Sequence, residues 1–259
     1  MRGTMGGPGV LGDFVWATAP LNHIAYALGA ATVYLVFVGA LISKPPQGGF
    51  RGSVAVQCVH NGILSLMSAA MFAGALYEGV RRLASEGSGR FLICEDPGVS
   101  VSGPLYAWAY AYYLSKFYEL LDTPIQMFAK GRPPPSVTVH VVHHAVVVFM
   151  AWGWLEYAQS LQFIGLLFNT LVHIVMYAYY ALVSLGYRPW WKNWITRLQI
   201  LQFVTSFVCL LGTVYLHFGG QGPCAGMGFL AFNGLFNAYL LFSFVGVLKK
   251  NSKGDKKSK

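Results

Sequence analysis

Seven long apolar segments, most of them set apart by residues that break helices, leave this chain few folds to choose from. They run over 21–42, 54–80, 104–127, 136–156, 158–184, 195–217 and 226–248. A spanning helix needs about 20 mostly apolar residues, so each segment is long enough to cross a bilayer. Pro45-Pro46, the stretch 85–104, Pro133-Pro134-Pro135, Pro189 and the run Gly219 to Pro223 punctuate them. Charged residues make up only 10% of the chain, against about a quarter in a soluble domain. The expected fold class is all-α: a polytopic membrane protein with a bundle of about seven transmembrane helices. One bundle over 21–248 is expected, between an N-terminal segment 1–20 and a basic tail 249–259, because no polar linker divides it. The first segment is too long for a signal-peptide core and lacks a small-residue cleavage site.

The net charge of +9 could suggest nucleic acid in a soluble protein. In a membrane protein it marks basic loops beside anionic headgroups, and it can attract an anionic substrate. With a cytosolic C-terminus, the cytosolic side holds Lys44, Arg51, Lys130, Arg132, Arg188, Lys192, Arg197 and six tail lysines, thirteen basic residues in all. The other side then holds only four: Arg2, Arg81, Arg82 and Arg90. The positive-inside bias therefore expects a lumenal N-terminus and a cytosolic C-terminus. Lys256-Lys257-Ser258-Lys259 resembles a dilysine retrieval signal of the endoplasmic reticulum. Cys94 and Cys224 fall in two loops assigned to the lumen and are candidates for a disulfide. Cys58 and Cys209 lie in spans, where packing is their simplest role.

Ionisable and polar groups within spans are costly and usually functional. Four clusters stand out. His140, His143 and His144 have helical spacings of three and four, which put all three imidazoles on one face. A lone buried histidine is more simply a satisfied hydrogen bond, and His23, His60 and His217 are read that way. In KFYELLDT, Lys116 and Glu119 could neutralise one another. Glu119 and Asp122 would repel unless a cation or a histidine separates them, and either could orient an imidazole. Asn169, His173, Met176, Tyr177 and Tyr180 share a third helix face, although tyrosines near a span end are commonly interfacial anchors. Thr196, Gln199 and Gln202 form a polar stripe that could equally bond helix to helix. The alternating direction of the spans brings all four clusters to one depth, beside Lys130, Arg132, Arg188, Lys192 and Arg197. A ligand with an anionic head and a lipid tail suits that layout.

A histidine box in a lipid enzyme first suggests a di-iron desaturase or hydroxylase. Two irons take about eight or more histidines, however, and the chain has seven in all. A single histidine-held metal stays open. A non-catalytic transporter is the other class, disfavoured because no internal repeat is evident.

The four clusters, in order, resemble the signature motifs of the ELO family of fatty acid elongases: KxxExxDT, HxxHH, NxxxHxxMYxYY and TxxQxxQ. All are matched without departure, over residues 116–202. The resemblance implies a 3-ketoacyl-CoA synthase, an acyltransferase of the endoplasmic reticulum membrane built around an acyl tunnel. It would condense a long-chain acyl-CoA with the co-substrate malonyl-CoA, without metal or redox cofactor. The ketoacyl reductase, dehydratase and enoyl reductase of the cycle would be its partners, with membrane lipid around it, no nucleic acid, and self-association left open. The residues suggest a mechanism alongside this resemblance. An imidazole can accept an acyl group, and His143, central in the box, is the first choice. His173 would polarise the malonyl thioester and stabilise the enolate. His140 and His144, oriented by Glu119 or Asp122, would complete the network. Lys116, Asn169, Tyr177, Tyr180, Thr196, Gln199, Gln202, Lys130, Arg132, Lys192 and Arg197 are the candidate substrate-binding residues.

Overall fold

A computed structural model of the chain describes residues 11–47, 52–134 and 136–257, without the side chains of 250–257. The last two tail residues, the tail side chains of the dilysine match and the first ten residues of the N-terminal segment lie outside the described set. Among the described residues, nine α-helices follow a short 3₁₀ turn at Trp16–Thr18: α1 (Ile24–Ser43), α2 (Ser53–Glu86), α3 (Arg90–Ile93), α4 (Pro104–Glu119), α5 (Asp122–Lys130), α6 (Val137–Glu156), α7 (Gln162–Ser184), α8 (Lys192–Phe218) and α9 (Met227–Lys257). Among the described residues, β pairing is limited to one isolated bridge, Val15 to Ser102.

Among the described residues, six helices, α1, α2, α6, α7, α8 and α9, are long and apolar enough to cross a membrane. The third expected span differs: it is split into α4 and α5. Pro124 has no N–H to give to the carbonyl of Leu120, so a continuous helix would lose a bond and clash there. The chain tightens first, with Leu120 N–H bonding to Phe117 O and Leu121 N–H to Tyr118 O. A new helix then starts at Asp122. Gly131, in the left-handed region at φ 63°, ends it by bonding Met127 O. The split matters because it separates Glu119 from Asp122 and turns their carboxylates toward different neighbours.

Packing between neighbours closes a ring in the order α2, α4, α6, α9, α8, α7 and back to α2, with α1 outside on α6 and α5. The sixteen residues of α4 span only about 24 Å. This helix is covered on its outer side by the N-terminal segment: Tyr110 and Tyr113 donate to the carbonyls of Pro20 and Leu21, and Trp16 packs edge-on against Tyr113. It therefore has little need of an apolar face for lipid, and can carry Lys116 and Glu119. Apart from α6, the other ring helices and α1 turn bulky apolar side chains outward, among them Val36 on α1, Leu66 on α2 and Leu211 on α8, all more than two-thirds exposed.

One end of the ring is tied shut. Cys94 and Cys224 form a disulfide between the loop before α4 and the loop before α9. Beside it, Glu95 is 1% exposed. Arg82 holds it at 2.6 and 2.8 Å and Tyr106 donates to it at 3.0 Å. The Glu95 amide donates to Ser160 Oγ, and the Ala225 amide donates to Glu95 O. Gly226, at φ 68°, passes so close to Gln159 that a side chain there would meet its Cα. The opposite end carries Lys130 and Lys192.

Candidate functional site

The ring encloses a cavity of about 710 Å³ lined from all six helices. It reaches from Ser136 to Trp154 along α6, about 27 Å at 1.5 Å per residue. Lys130 and Lys192 border it at one end; Trp154, Leu161, Gly165 and Leu230 wall it toward the disulfide end.

His140, His143 and His144 all line the cavity, with ring centroids 4.5 Å apart for His140–His144 and 5.4 Å for His143–His144. Phe236 of α9 stacks near His143 at 6.3 Å. Across from the box stands His173. Its Nδ1 lies 2.6 Å from Asn169 O; a carbonyl only accepts, so Nδ1 carries the proton and Nε2 offers a lone pair. That lone pair faces Glu119 Oε2 at 3.8 Å, too far for a hydrogen bond. The four buried atoms His140 Nε2, His143 Nδ1, His144 Nδ1 and Glu119 Oε2 have no hydrogen-bond partner among the described residues. Native interiors leave few such groups unpaired. Of the four residues, the three histidines line the cavity, whereas Glu119 lies behind its wall.

The two carboxylates do different work. Glu119 pairs with Lys116 Nζ at 2.6 Å, and Lys116 also reaches Asn169 Oδ1 at 3.2 Å and lies 4.1 Å from the centroid of the Tyr112 ring. Both charges are buried, and neither borders the cavity. The ion pair is thus the neutralising arrangement, and Lys116 sits behind the wall. Asp122 turns the other way. Its Oδ1 takes His60 Nε2 at 2.6 Å, its Oδ2 takes the Tyr177 hydroxyl at 2.7 Å, and His144 Nε2 approaches to 3.6 Å.

Asn169, Met176, Tyr177 and Tyr180 of α7 and Thr196, Gln199 and Gln202 of α8 line the cavity together. Gln199 also bonds Met176 Sδ at 3.7 Å. Lys130 and Lys192 border the mouth, whereas Arg132 and Arg197 are exposed outside the wall, Arg197 lying 5.2 Å from the Trp194 ring centroid. Partial burial, with Arg132 adding repulsion, lowers the Lys130 pKa below that of an ordinary lysine. No group of three or more His, Cys, Asp or Glu among the described residues is arranged to hold a metal ion.

Sequence reasoning missed the cavity-lining polar residues of α2 and α9: Gln57, His60, Asn61, Asn233 and Asn237. Gln57, His60 and Asn61 are three and four apart on α2, a spacing that puts them on one face and could have been read as a polar stripe. Asn233 and Asn237 are four apart on α9, a spacing that could have been read as a stripe. Of the three histidines set aside, His23 caps α1 by accepting from Ala25 N–H, and His217 accepts from Cys224 N–H. His60 does neither.

Fold and site together define a polytopic membrane protein with a histidine-centred polar site in a cavity between its helices. The chain belongs to the ELO (GNS1/SUR4) family, whose model matches residues 19–259. Fatty acid elongase A of Dictyostelium discoideum is 33% identical over 247 residues, which cover 92% of this chain and 86% of that protein. Fatty acid elongase sre1 of the same organism is 32% identical over 202 residues, covering 75% and 72%. Very long chain fatty acid elongase 7 of Drosophila melanogaster is 31% identical over 205 residues, covering 76% and 59%.

Proposed function

We propose that this fatty acid elongase family member is the condensing enzyme of chain elongation, joining an acyl-CoA to malonyl-CoA to give a 3-ketoacyl-CoA, carbon dioxide and CoA. The observation that carries the reading is the position of the histidine box. His143 lies about 10 Å into the cavity from the Ser136 end and about 16 Å from Trp154, counted along α6. An anionic CoA head can stay at Lys130 and Lys192 while the acyl tail fills the apolar length toward Trp154.

In this reading a nitrogen of His143 attacks the acyl thioester carbonyl. The carbon–sulfur bond breaks, CoA leaves as thiolate and takes up a proton, and an acyl-imidazole remains. Malonyl-CoA then enters. Its carboxylate leaves as carbon dioxide, and the electron pair becomes an enolate. His173, carrying at Nε2 a proton that it takes from the aqueous mouth beforehand and keeps through the cycle, stabilises it by donating a hydrogen bond to the thioester oxygen. The enolate carbon attacks the acyl carbon and expels His143. Over the cycle one external proton is consumed, on the CoA sulfur. Tyr177, Tyr180, Thr196, Gln199 and Gln202 offer hydrogen bonds to the pantetheine arm, and Glu119 with Lys116 supports His173 from behind. The basic mouth faces the cytosol, with the disulfide end in the lumen of the endoplasmic reticulum. The reductases and dehydratase that complete the cycle meet the product there.

The test uses purified protein in proteoliposomes with acyl-CoA and labelled malonyl-CoA. Wild type is expected to release labelled carbon dioxide and form 3-ketoacyl-CoA. With acyl-CoA alone it should gain one acyl mass, lost in His143→Ala. Wild-type condensation by His143→Ala would remove the covalent step, and stoichiometric iron in the active protein would contradict the whole scheme.

A further inference from the structure

We infer that His60 of α2 is a positioning residue of this site, acting through Asp122 on His144; the inference rests on the condensing-enzyme reading above. It lies 80 residues from the histidine box in a helix that carries none of the four motifs. The ring closure brings it there, because α2 packs against α4, α5 and α7.

The geometry is specific. His60 is 5% exposed and borders the cavity. Its Nε2 meets Asp122 Oδ1 at 2.6 Å, a distance that an ionised carboxylate and an N–H donor reach in a charge-assisted bond. The ring packs against Tyr118 with centroids 5.0 Å apart, which fixes its plane. Asp122 also accepts from Tyr177 on its other oxygen. Three elements, α2, α5 and α7, thus converge on one carboxylate and hold it in a single orientation. In that orientation Oδ2 stands 3.6 Å from His144 Nε2. At 3.6 Å the two do not hydrogen-bond, but the carboxylate's charge favours the Nε2–H tautomer of His144 and leaves its Nδ1, unpartnered and buried, as the basic nitrogen inside the box. Without the His60 bond Asp122 loses one of its two donors, and its carboxyl can rotate away from His144.

The competing view is a histidine kept for packing. Against it, a ring that donates through Nε2–H leaves Nδ1 as an acceptor, and that atom is buried with no partner among the described residues. Packing alone gives no reason for an unfilled polar atom; an apolar side chain of similar size would serve better.

The experiment compares wild type, His60→Gln and His60→Asn in proteoliposomes, with Asp122→Ala and the double variant His60→Asn/Asp122→Ala. A glutamine amide reaches the carboxylate in place of the imidazole; asparagine, one methylene shorter, does not, and both keep the position polar so that the fold survives. The kcat for 3-ketoacyl-CoA formation is expected to fall about tenfold or more in His60→Asn, the scale of supporting-shell losses, with the KM for acyl-CoA within about twofold. His60→Gln should recover most of the rate. On the Asp122→Ala background, His60→Asn should cost nothing further, since both changes remove one interaction. A His60→Asn kcat within about twofold of wild type, a glutamine variant as slow as asparagine, or fully additive losses would each overturn the assignment. Wild type that makes no 3-ketoacyl-CoA would overturn the condensing-enzyme reading, and this inference with it.

Discussion

Lys116→Met isolates the energetic meaning of the buried pair in the first motif. Lys116 and Glu119 meet at 2.6 Å, with side chains 2% and 1% exposed, so neither charge is solvated. Removing the lysine leaves a carboxylate whose Oε1 keeps only a 3.4 Å contact with Ser115 and whose Oε2 already lacks a partner. Breaking one side of a buried pair costs about 3–5 kcal/mol, whereas replacing both partners by apolar residues is often neutral or stabilising. At roughly 2–4 °C per kcal/mol for a chain of this size, the single variant should lose about 6–20 °C of thermal stability. Lys116→Met/Glu119→Leu should return close to wild type. Fluorescence-detected size exclusion after heating reads this directly, and carbon dioxide release from labelled malonyl-CoA reads function in the same preparations. Activity should stay lost in the double variant, because Glu119 no longer stands behind His173. A double variant as unstable as the single would refute the reasoning, since the pair would then be a net source of stability and not a neutralised charge.

Two further outcomes follow from the ends of the ring. Replacing Cys94 and Cys224 by Ser opens a link across 130 residues, which the chain-entropy relation values at up to about 5 kcal/mol; melting should fall while the KM for acyl-CoA holds, and a shifted KM with unchanged melting would count against a purely structural bond. Lys130 loses its proton at lower pH than an ordinary lysine, because burial disfavours its charged form and Arg132 repels it. Its attraction for an anionic head is therefore complete at low pH and fades as pH rises, so the KM for acyl-CoA should climb at lower pH in wild type than in Lys130→Arg; superimposable profiles would take Lys130 out of binding.

Fold class and span limits were legible because hydropathy and helix breakers act locally. Six of the expected segments coincide with helices, most to within a few residues, α2 running six residues and α9 nine residues past the expected ends. The split at 120–121 was readable in principle from Pro124, which lies inside the expected span 104–127. The histidine box, His173 and the polar stripe of α8 were legible as periodic patterns on single helices. Partners were not. Nothing in the spacing of KFYELLDT says that Glu119 keeps Lys116 while Asp122 takes His60 and Tyr177, since that choice depends on which helices close the ring. Glu95 and Arg82 escaped for the same reason: one lies in a loop, the other in a helix end that sequence reads as a surface charge.

The ring also accounts for how so polar a centre can exist at this depth. A histidine facing lipid would have to shed its water with nothing in return. Here the box faces inward, and its outer side is covered by α1: Tyr34, 4% exposed, bonds Thr123 at 2.6 Å and packs near the His144 ring, while Val38 packs into the same cluster. The remaining cost is the set of unpartnered atoms, each worth roughly 1–3 kcal/mol when buried. A fold can carry them only if other interactions hold the ring closed, and those lie at the far end: the disulfide, the Arg82–Glu95 pair and the backbone bonds through Ser160 and Ala225. Rigidity is concentrated about 16 Å beyond the box, where an acyl tail would end. One group of unfilled polar atoms, on His140, His143 and His144, lies where an acyl-CoA would place its thioester. A substrate threading the cavity would thus supply hydrogen-bond partners to the box, and would then pass Trp154, whose buried indole N–H also lacks a partner among the described residues.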